Sequence, residues 1–590
     1  MKNFKRCYNT HKEKKERKKF ATFDLETKGL GGDVLAASYA IEQGPSELII
    51  EGDIISQLVR VILSYPFYLW YAHNAQYDWR YLIPEFEKRR IDFEMLMRTD
   101  NDVFCIQIKR NDDTITLLDS FALVPISLRD FAKSFSTEQK GHIDFENVVF
   151  DAKNPKHRDY ALRDSRVLLE SLINYDKKIM ECFGVHVGYT AASTAVKAWR
   201  VTIPEHAKYF NDEKNEVFIR EAYYGGLVFL TDVLEHDQCE TYDINSCYPY
   251  VMRACGVPYG SVTRVGNFNA KYPGIYRVVV SAPKDLVVPI LPCRERKGAM
   301  KFTRWPSGTF ETVCTSEELK FAIEKGYKIL EVLEGLVWEK IIYPFSDFVN
   351  KAEKLRKEFK GRGEELAAKL MQNSLYGKFG ARRERRKIFK PSNPEECLGA
   401  SPWDKEGKYW WRREVVEDML CLPQWAAWIT AQARLHLLRA AYRIGVKNVF
   451  YGDTDSLTIQ AGYGNELKID SAYGAWKLEK VWSCFRAVAP KVYVGILDDT
   501  LTGRAKGLPR KKMNTDLWRA IYDDIKFSVP YTSLPKFIQT LRGEGKLIQR
   551  HRGVTDLMNS HNWRVDSLGN VRPKIHDEKN NGMIFMSASK

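Results

Sequence analysis

Long hydrophobic runs are missing from this sequence of 590 residues. Its apolar stretches, such as residues 67–72 and 278–280, fall well short of the roughly 20 needed to cross a bilayer, so no transmembrane helix is expected. Closely spaced cysteines are missing too. The eleven present are scattered, with no C-x-x-C pair and no histidines at zinc spacing, which argues against a disulfide framework and against a structural zinc site. The densely basic residues 1–19 have no apolar segment or small-residue cleavage site behind them, and so do not read as a secretory signal. The protein is expected to stay inside a cell. No fixed-period repeat suggests a solenoid. Acidic charge is in deficit: 91 Lys and Arg against 76 Asp and Glu leave +15, which favours a polyanionic partner, either nucleic acid or an anionic membrane surface.

What is present can build cores. Hydrophobic residues make up 44% and aromatics 13%, and the length calls for two domains at least. Residues 20–25 read as a strand, and residues 104–108 and 114–118 as a pair joined by a polar turn. Apolar residues recur at helical spacing over 160–175. Further on, 275–280 reads as a strand and 348–379 as two helices broken at Gly361 and Gly363. Residues 382–417, rich in charge, Pro, Trp and Arg, read as an irregular insertion. A helix over 424–444, stopped by Gly445, leads into a strand–turn–strand over 449–459.

Two sets of carboxylates stand out. Asp24 and Glu26, two apart on the first strand, leave the same face of the sheet. Asp78 ends the run H-N-A-Q-Y-D at 73–78, and Tyr160 and Asp164 share one face of a helix. Four carboxylates converging on a cleft could hold two cations about 3.5–4 Å apart, which is what phosphodiester hydrolysis requires. Alone, each fragment is more often a solvated edge. The second set begins with D-I-N-S-C-Y-P at 243–249 and ends with Y-G-D-T-D-S at 451–456, both at sheet ends. Between them, K-L-M-Q-N-S-L-Y-G at 369–377 puts Lys369, Asn373 and Tyr376 on one helix face. Paired cations on such aspartates would lower the pKa of an attacking hydroxyl and neutralise a departing pyrophosphate. An Asp-rich turn is the plain alternative for Asp453 and Asp455.

Order and spacing decide the matter. The first fragments resemble the exonuclease motifs D-x-E, N-x-x-Y-D and Y-x-x-x-D of proofreading family B DNA polymerases, and the second set resembles motifs A, B and C of the same family, with Cys247 at the usual leucine of motif A. That resemblance implies that Asp24, Glu26, Asp78 and Asp164 bind metal, that Tyr160 orients the attacking water, and that Thr27, Asn74 and Tyr77 contact a frayed primer end. It further implies Asp243 and Asp455 as the main catalytic metal ligands, Asp453 as an auxiliary carboxylate, and Tyr248 as the wall of the sugar pocket. Lys357, Lys369 and Asn373 would hold the triphosphate, and Tyr376 the nascent pair. K-V-Y at 491–493 resembles the K-x-Y motif, giving Lys491 and Tyr493 to the primer end; Y-Y-G-G at 223–226 resembles the Y-x-G-G linker, with Tyr223, Gly225 and Gly226.

Two shorter matches are similar to the protein-primed subgroup of phages and linear plasmids: S-L-R-D-F at 127–131, with Ser127 and Leu128 as strand ligands, and K-G-H-I at 140–143, with Lys140 catalytic. The long gaps between motifs resemble that subgroup's two terminal-protein-region insertions, at 253–343 and 381–421. The fold class implied is α/β and α+β, multidomain: an RNase H-like 3′–5′ exonuclease domain at 20–190 behind a basic tail at 1–19, then a right-hand polymerase at 191–590. Within it, palm carries the first insertion, fingers cover 344–380, the second insertion follows, palm resumes over 422–508, and thumb covers 509–590. The implied cofactor is Mg2+, with Mn2+ able to substitute. The implied partners are primer-template DNA, dNTPs and a terminal protein as primer, with no membrane, for a monomer in the host cytoplasm, a bacterial one if the gene is a phage's. A family B polymerase using nucleic-acid primers or none, and a non-catalytic DNA-binding relative, remain as alternatives.

Overall fold

The computed structural model describes residues 17–99, 102–110, 113–139, 150–203, 209–210, 212–297, 300–404, 406–416 and 420–508, with shorter stretches at 6–7 and within 513–573. The chain forms two compact units, one of residues 1–211, 350–421 and 532–550, the other of residues 212–349, 422–531 and 551–590.

The first unit is built on a ten-stranded sheet. At its heart Phe20–Thr27 runs parallel to Leu69–Ala72, which runs parallel to Asp113–Asp119. Strand alternation sorts the residues of Phe20–Thr27. Ala21, Phe23 and Leu25 enter the core with Trp70, Trp79 and Ile106. Thr22, Asp24 and Glu26 take the other face. There Thr22 donates through Oγ1 to the carbonyl of Ser165 at 2.8 Å, on the helix Pro155–Phe183. That helix is longer than the apolar spacing predicts. Asn154 caps its start, with a proline in the first turn, and Gly184 ends it in the left-handed region at φ 74°.

The insertion expected to be irregular is not. Glu384–Phe389 pairs antiparallel with Phe93–Thr99, and Trp410–Val415 and Ser401–Pro402 extend the same sheet to its edge. Charge hid these strands from a sequence reading, because their cations are absorbed by packing. Lys387, buried, reaches Glu94 at 2.7 Å and Glu414 at 3.0 Å. The Arg386 guanidinium lies 4.2 Å over the ring of Trp411. Residues 350–421, read from the sequence as fingers and second insertion, lie in the same compact unit as this sheet.

The second unit centres on a seven-stranded antiparallel sheet in the order Val228–Leu230, Val449–Asp453, Ser456–Gln460, Glu235–Ile244, Trp476–Ala489, Val492–Leu497, Thr500–Ala505. The helix Pro423–Ile444 is buried over most of its length, as its run of Ala, Trp, Ile and Leu requires. Residues 257–342 contribute a separate four-stranded sheet, Val257–Val265, Lys328–Ile342, Gly274–Ala282 and Gly308–Thr315 in that order, with the helix Ser316–Glu324.

Two candidate catalytic carboxylate centres

In the first unit one carboxylate oxygen from each of Asp24, Glu26 and Asp164 lies within 4.8 Å of the other two. Asp164 is 4% exposed on the helix that packs against the strand face carrying Asp24 and Glu26. Tyr160 stands one turn earlier on that helix. Asp78, at the start of the helix Trp79–Lys88, is equally buried. Burial, and then the charge of Asp24, holds its carboxyl well above the ordinary carboxylate range. Like charges crowded in this way favour a bound cation, and an all-oxygen donor set suits Mg2+ or Mn2+.

Around this cluster the sequence-named residues take definite places. Thr27 and Tyr77 meet hydroxyl to hydroxyl at 2.6 Å. Asn74 adopts φ 63°, a conformation Asn tolerates, and its N–H donates to Asp119 at 2.9 Å. Ser127 caps the helix Leu128–Phe135, accepting from the Asp130 N–H and donating to the Asp130 carboxylate, while Leu128 is buried. At the end of the strand Asp113–Asp119 it is Ser120 that lies 2.9 Å from His73, and buried Asp119 that caps the turn after it. Asp119, Ser120 and His73 escaped the motif reading. Their signal was the polar pair D-S closing an apolar strand, matched by H-N closing its parallel neighbour. Lys140 lies outside the described residues.

In the second unit Asp243 is the last residue but one of the strand Glu235–Ile244, opposite Ser456 on one side and Lys477 on the other. Asp453 ends the strand Val449–Asp453, which pairs with the far side of Ser456–Gln460, and Asp455 sits in the turn between those two strands. Thr454 between them is forced to φ 64°, strained for a β-branched residue. The turn is held by backbone bonds from Ile244 N–H to the Asp455 carbonyl at 2.8 Å and from Thr454 N–H to the Leu227 carbonyl at 2.8 Å. Gly226 makes this approach feasible, because a Cβ there would come within 2.6 Å of the Thr454 hydroxyl. Tyr224 is buried, and the carbonyls of Tyr224 and Gly225 accept from Arg434 at 3.0 and 2.8 Å. Tyr223 packs half-buried on a separate apolar cluster.

Charge is concentrated at the turn. Burial, then Asp243 and Asp453, pushes the Asp455 carboxyl up to about 6. Lys491 sets its ammonium 2.7 Å from Asp453, and Lys477 sets its own 3.0 Å from Asp243. The Tyr493 ring lies 5.4 Å from that of Tyr451, tilted by 58°, and the Tyr451 hydroxyl accepts from the Lys491 N–H. Tyr248 lies in the first turn of the helix Cys247–Ala254, next to Cys247, which is buried as a packing residue. The three carboxylates bear on one another electrostatically, Lys477 and Lys491 offset part of their charge, and oxygen donors of this kind suit a divalent cation.

The remaining named residues belong to other elements. On the helix Gly363–Phe379, Ala367, Met371, Leu375 and Phe379 are buried, and Lys369 and Asn373 are exposed on the opposite face with Tyr376 half-exposed beside them. Lys357, on Ser346–Glu358, is exposed and pairs with Glu353 at 2.8 Å. The first unit also has an open cleft of about 1380 Å3 whose lining includes Arg98, Arg385, Arg413, Tyr189 and Trp411. Among the described residues no helix is long and apolar enough to cross a membrane.

Comparison with known proteins gives a consistent result. The family model described as DNA polymerase type B, organellar and viral, matches residues 63–161 and 154–406. A probable DNA polymerase of Neurospora intermedia is 26% identical over 414 residues, 63% of this chain and 42% of that protein. The DNA polymerase of Bacillus phage phi29 is 25% identical over 503 residues, 78% of this chain and 82% of that protein. The chain thus spans about two-fifths of the fungal relative and most of the phage one. In fold it is similar to phi29 DNA polymerase complexed with primer-template DNA, with a TM-score of 0.71 and 18% identity, over 91% of this chain and 100% of that one.

Proposed function

This chain belongs to the type B DNA polymerases of organellar and viral kind, and from that premise we propose that it extends primers by template-directed addition of deoxynucleotides and trims mismatched 3′ ends at a second, separate centre. One observation carries the reading. Three aspartates, Asp243, Asp453 and Asp455, gather at the end of a central antiparallel sheet, where burial and the charges of Asp243 and Asp453 raise the Asp455 carboxyl above its ordinary range. Divalent cations at Asp243 and Asp455, Mg2+ in the cell, would acidify the primer hydroxyl and neutralise the pyrophosphate.

The protein's own side chains orient what reacts. Tyr248 walls the sugar pocket, and exposed Lys369 and Asn373, with Lys357 exchanging its Glu353 partner, take the triphosphate, since an exposed ammonium can pair with phosphate. Tyr376 packs on the nascent pair. Lys491 and Tyr493 grip the primer end, and Tyr223, Gly225 and Gly226 join the strand path to the catalytic turn. At the first centre Asp24, Glu26, Asp78 and Asp164 hold the hydrolytic cations, Tyr160 orients water, and Thr27, Asn74 and Tyr77 receive the frayed end. Ser127, Leu128 and Lys140 complete that assignment.

Protein priming of a linear viral or plasmid genome is the finer reading, for a monomer working inside a cell. Its support is the resemblance of 253–343 and 381–421 to terminal-protein-region insertions. The separate sheet of 257–342 suits a docking platform, and the basic, aromatic cleft beside 381–421 suits a template strand. Incubation with labelled dNTP and a candidate terminal protein tests it. Label attached covalently to a Ser, Thr or Tyr of that partner supports priming by protein; extension of DNA primers alone, with no such adduct, removes that label and leaves the polymerase.

A further inference from the structure

The strand Trp476–Ala489 does not pair evenly with Glu235–Ile244. From Glu235 to Thr241 the register is regular, Thr241 facing Lys480; then it slips by one, so that Tyr242 faces Leu478 and Asp243 faces Lys477. Glu479 is the bulged residue. In the unbroken register Leu478 would lie opposite Asp243. The bulge therefore places a cation where regular pairing would place an apolar side chain, because residues directly opposite in an antiparallel pair share a face. The Lys477 ammonium lies 3.0 Å from Asp243 Oδ2. The contact is open, with side-chain exposures of 51% and 25%, so the ammonium can leave without unfolding anything. Neither the motifs nor the comparisons give Lys477 a role.

Resting on the reading of Asp243 as a metal ligand, we propose that Lys477 is a displaceable counter-ion, a positioning residue that holds the Asp243 carboxylate in the metal-free protein and competes with the incoming divalent cation for the same oxygen. A cation bound at Asp243 repels the ammonium and must break its bond, so the pair sets a threshold on metal binding. Loss of the lysine removes the competitor. The site then binds metal more tightly, whereas a lysine of merely structural use would leave affinity unchanged or lower it.

The test is titration of the full-length chain with Mn2+, followed by electron paramagnetic resonance, in a background of Asp24→Ala and Glu26→Ala that silences the other centre. Lys477→Met is expected to lower the dissociation constant about threefold, the scale of an exposed ion pair. Lys477→Arg is expected to keep it near the starting value. Lys480→Met, which removes equal charge from the same face without its partner Asp243, is expected to change it little. Lys477→Gln replaces Lys477→Met if the latter melts early in EDTA. Unchanged or weaker binding in Lys477→Met and Lys477→Gln, or equal tightening by Lys480→Met, overturns the inference while the site stands. Unchanged binding in Asp243→Ala instead overturns the metal reading of Asp243, and the inference with it.

Discussion

Arg434 and Glu318 meet at 2.6 Å, with both side chains only 1% exposed. The same guanidinium holds the Tyr224 and Gly225 carbonyls, and Glu318 caps its own helix through the Thr315 N–H and hydroxyl. One buried pair thus ties the helix Pro423–Ile444 to Ser316–Glu324 and to the segment that packs on the catalytic turn.

Breaking it is expected to be costly. Removing one partner leaves an uncompensated buried charge, so Arg434→Met or Glu318→Ala should each lower stability by about 3–5 kcal/mol. The double substitution Arg434→Met with Glu318→Leu should cost less than the sum. Urea unfolding of the three variants checks this, and strictly additive losses would contradict it.

The pH dependence follows from Asp455. Its folded carboxyl titrates at about 6, above the ordinary 3.8, so the folded chain holds a proton that the unfolded chain has released. The stability this contributes is complete below 3.8 and is lost as pH rises through about 6, on the order of 3 kcal/mol. A bound dication replaces the proton and cancels the loss. The gain in melting temperature from EDTA to excess Mg2+ should therefore be larger at pH 7.5 than at pH 5, in the Asp24→Ala, Glu26→Ala background. Equal gains would contradict the assignment.

The insertion at 381–421 should not come out cleanly. Ile388 and Tyr409 belong to the apolar core of the first unit, and Glu384–Phe389 covers the edge of Phe93–Thr99. Deletion is expected to lower solubility and melting temperature by exposing that edge. Arg385→Glu with Arg413→Glu keeps the strands and reverses charge in the cleft. It should shorten products in the presence of trap DNA and leave single-nucleotide addition intact. Full-length products under trap would show that the cleft does not hold template.

Much of the site was legible because its chemistry is local. Asp24 and Glu26 on one strand, Tyr160 and Asp164 one turn apart, and Asp453 and Asp455 around a turn are fixed by short-range geometry. What stayed hidden depends on partners distant in sequence. Glu384–Phe389 looks like charged loop until Glu94 and Trp411 are seen to absorb its cations. Ser120 meets His73 only because two parallel strands end side by side. Lys477 faces Asp243 only because of one bulged residue, which no alternation pattern announces.

The separateness of the two centres is tested most directly with a labelled primer on a longer template, its 3′ end mismatched in one reaction and matched in a parallel one, with Mg2+ and dNTPs. Asp455→Asn is expected to shorten the primer and never lengthen it. Asp24→Ala with Glu26→Ala is expected to leave the mismatched end untrimmed and to extend a matched primer normally. Extension by Asp455→Asn at the rate of the unaltered protein, or undiminished trimming by the double variant, would contradict the assignment of the two centres.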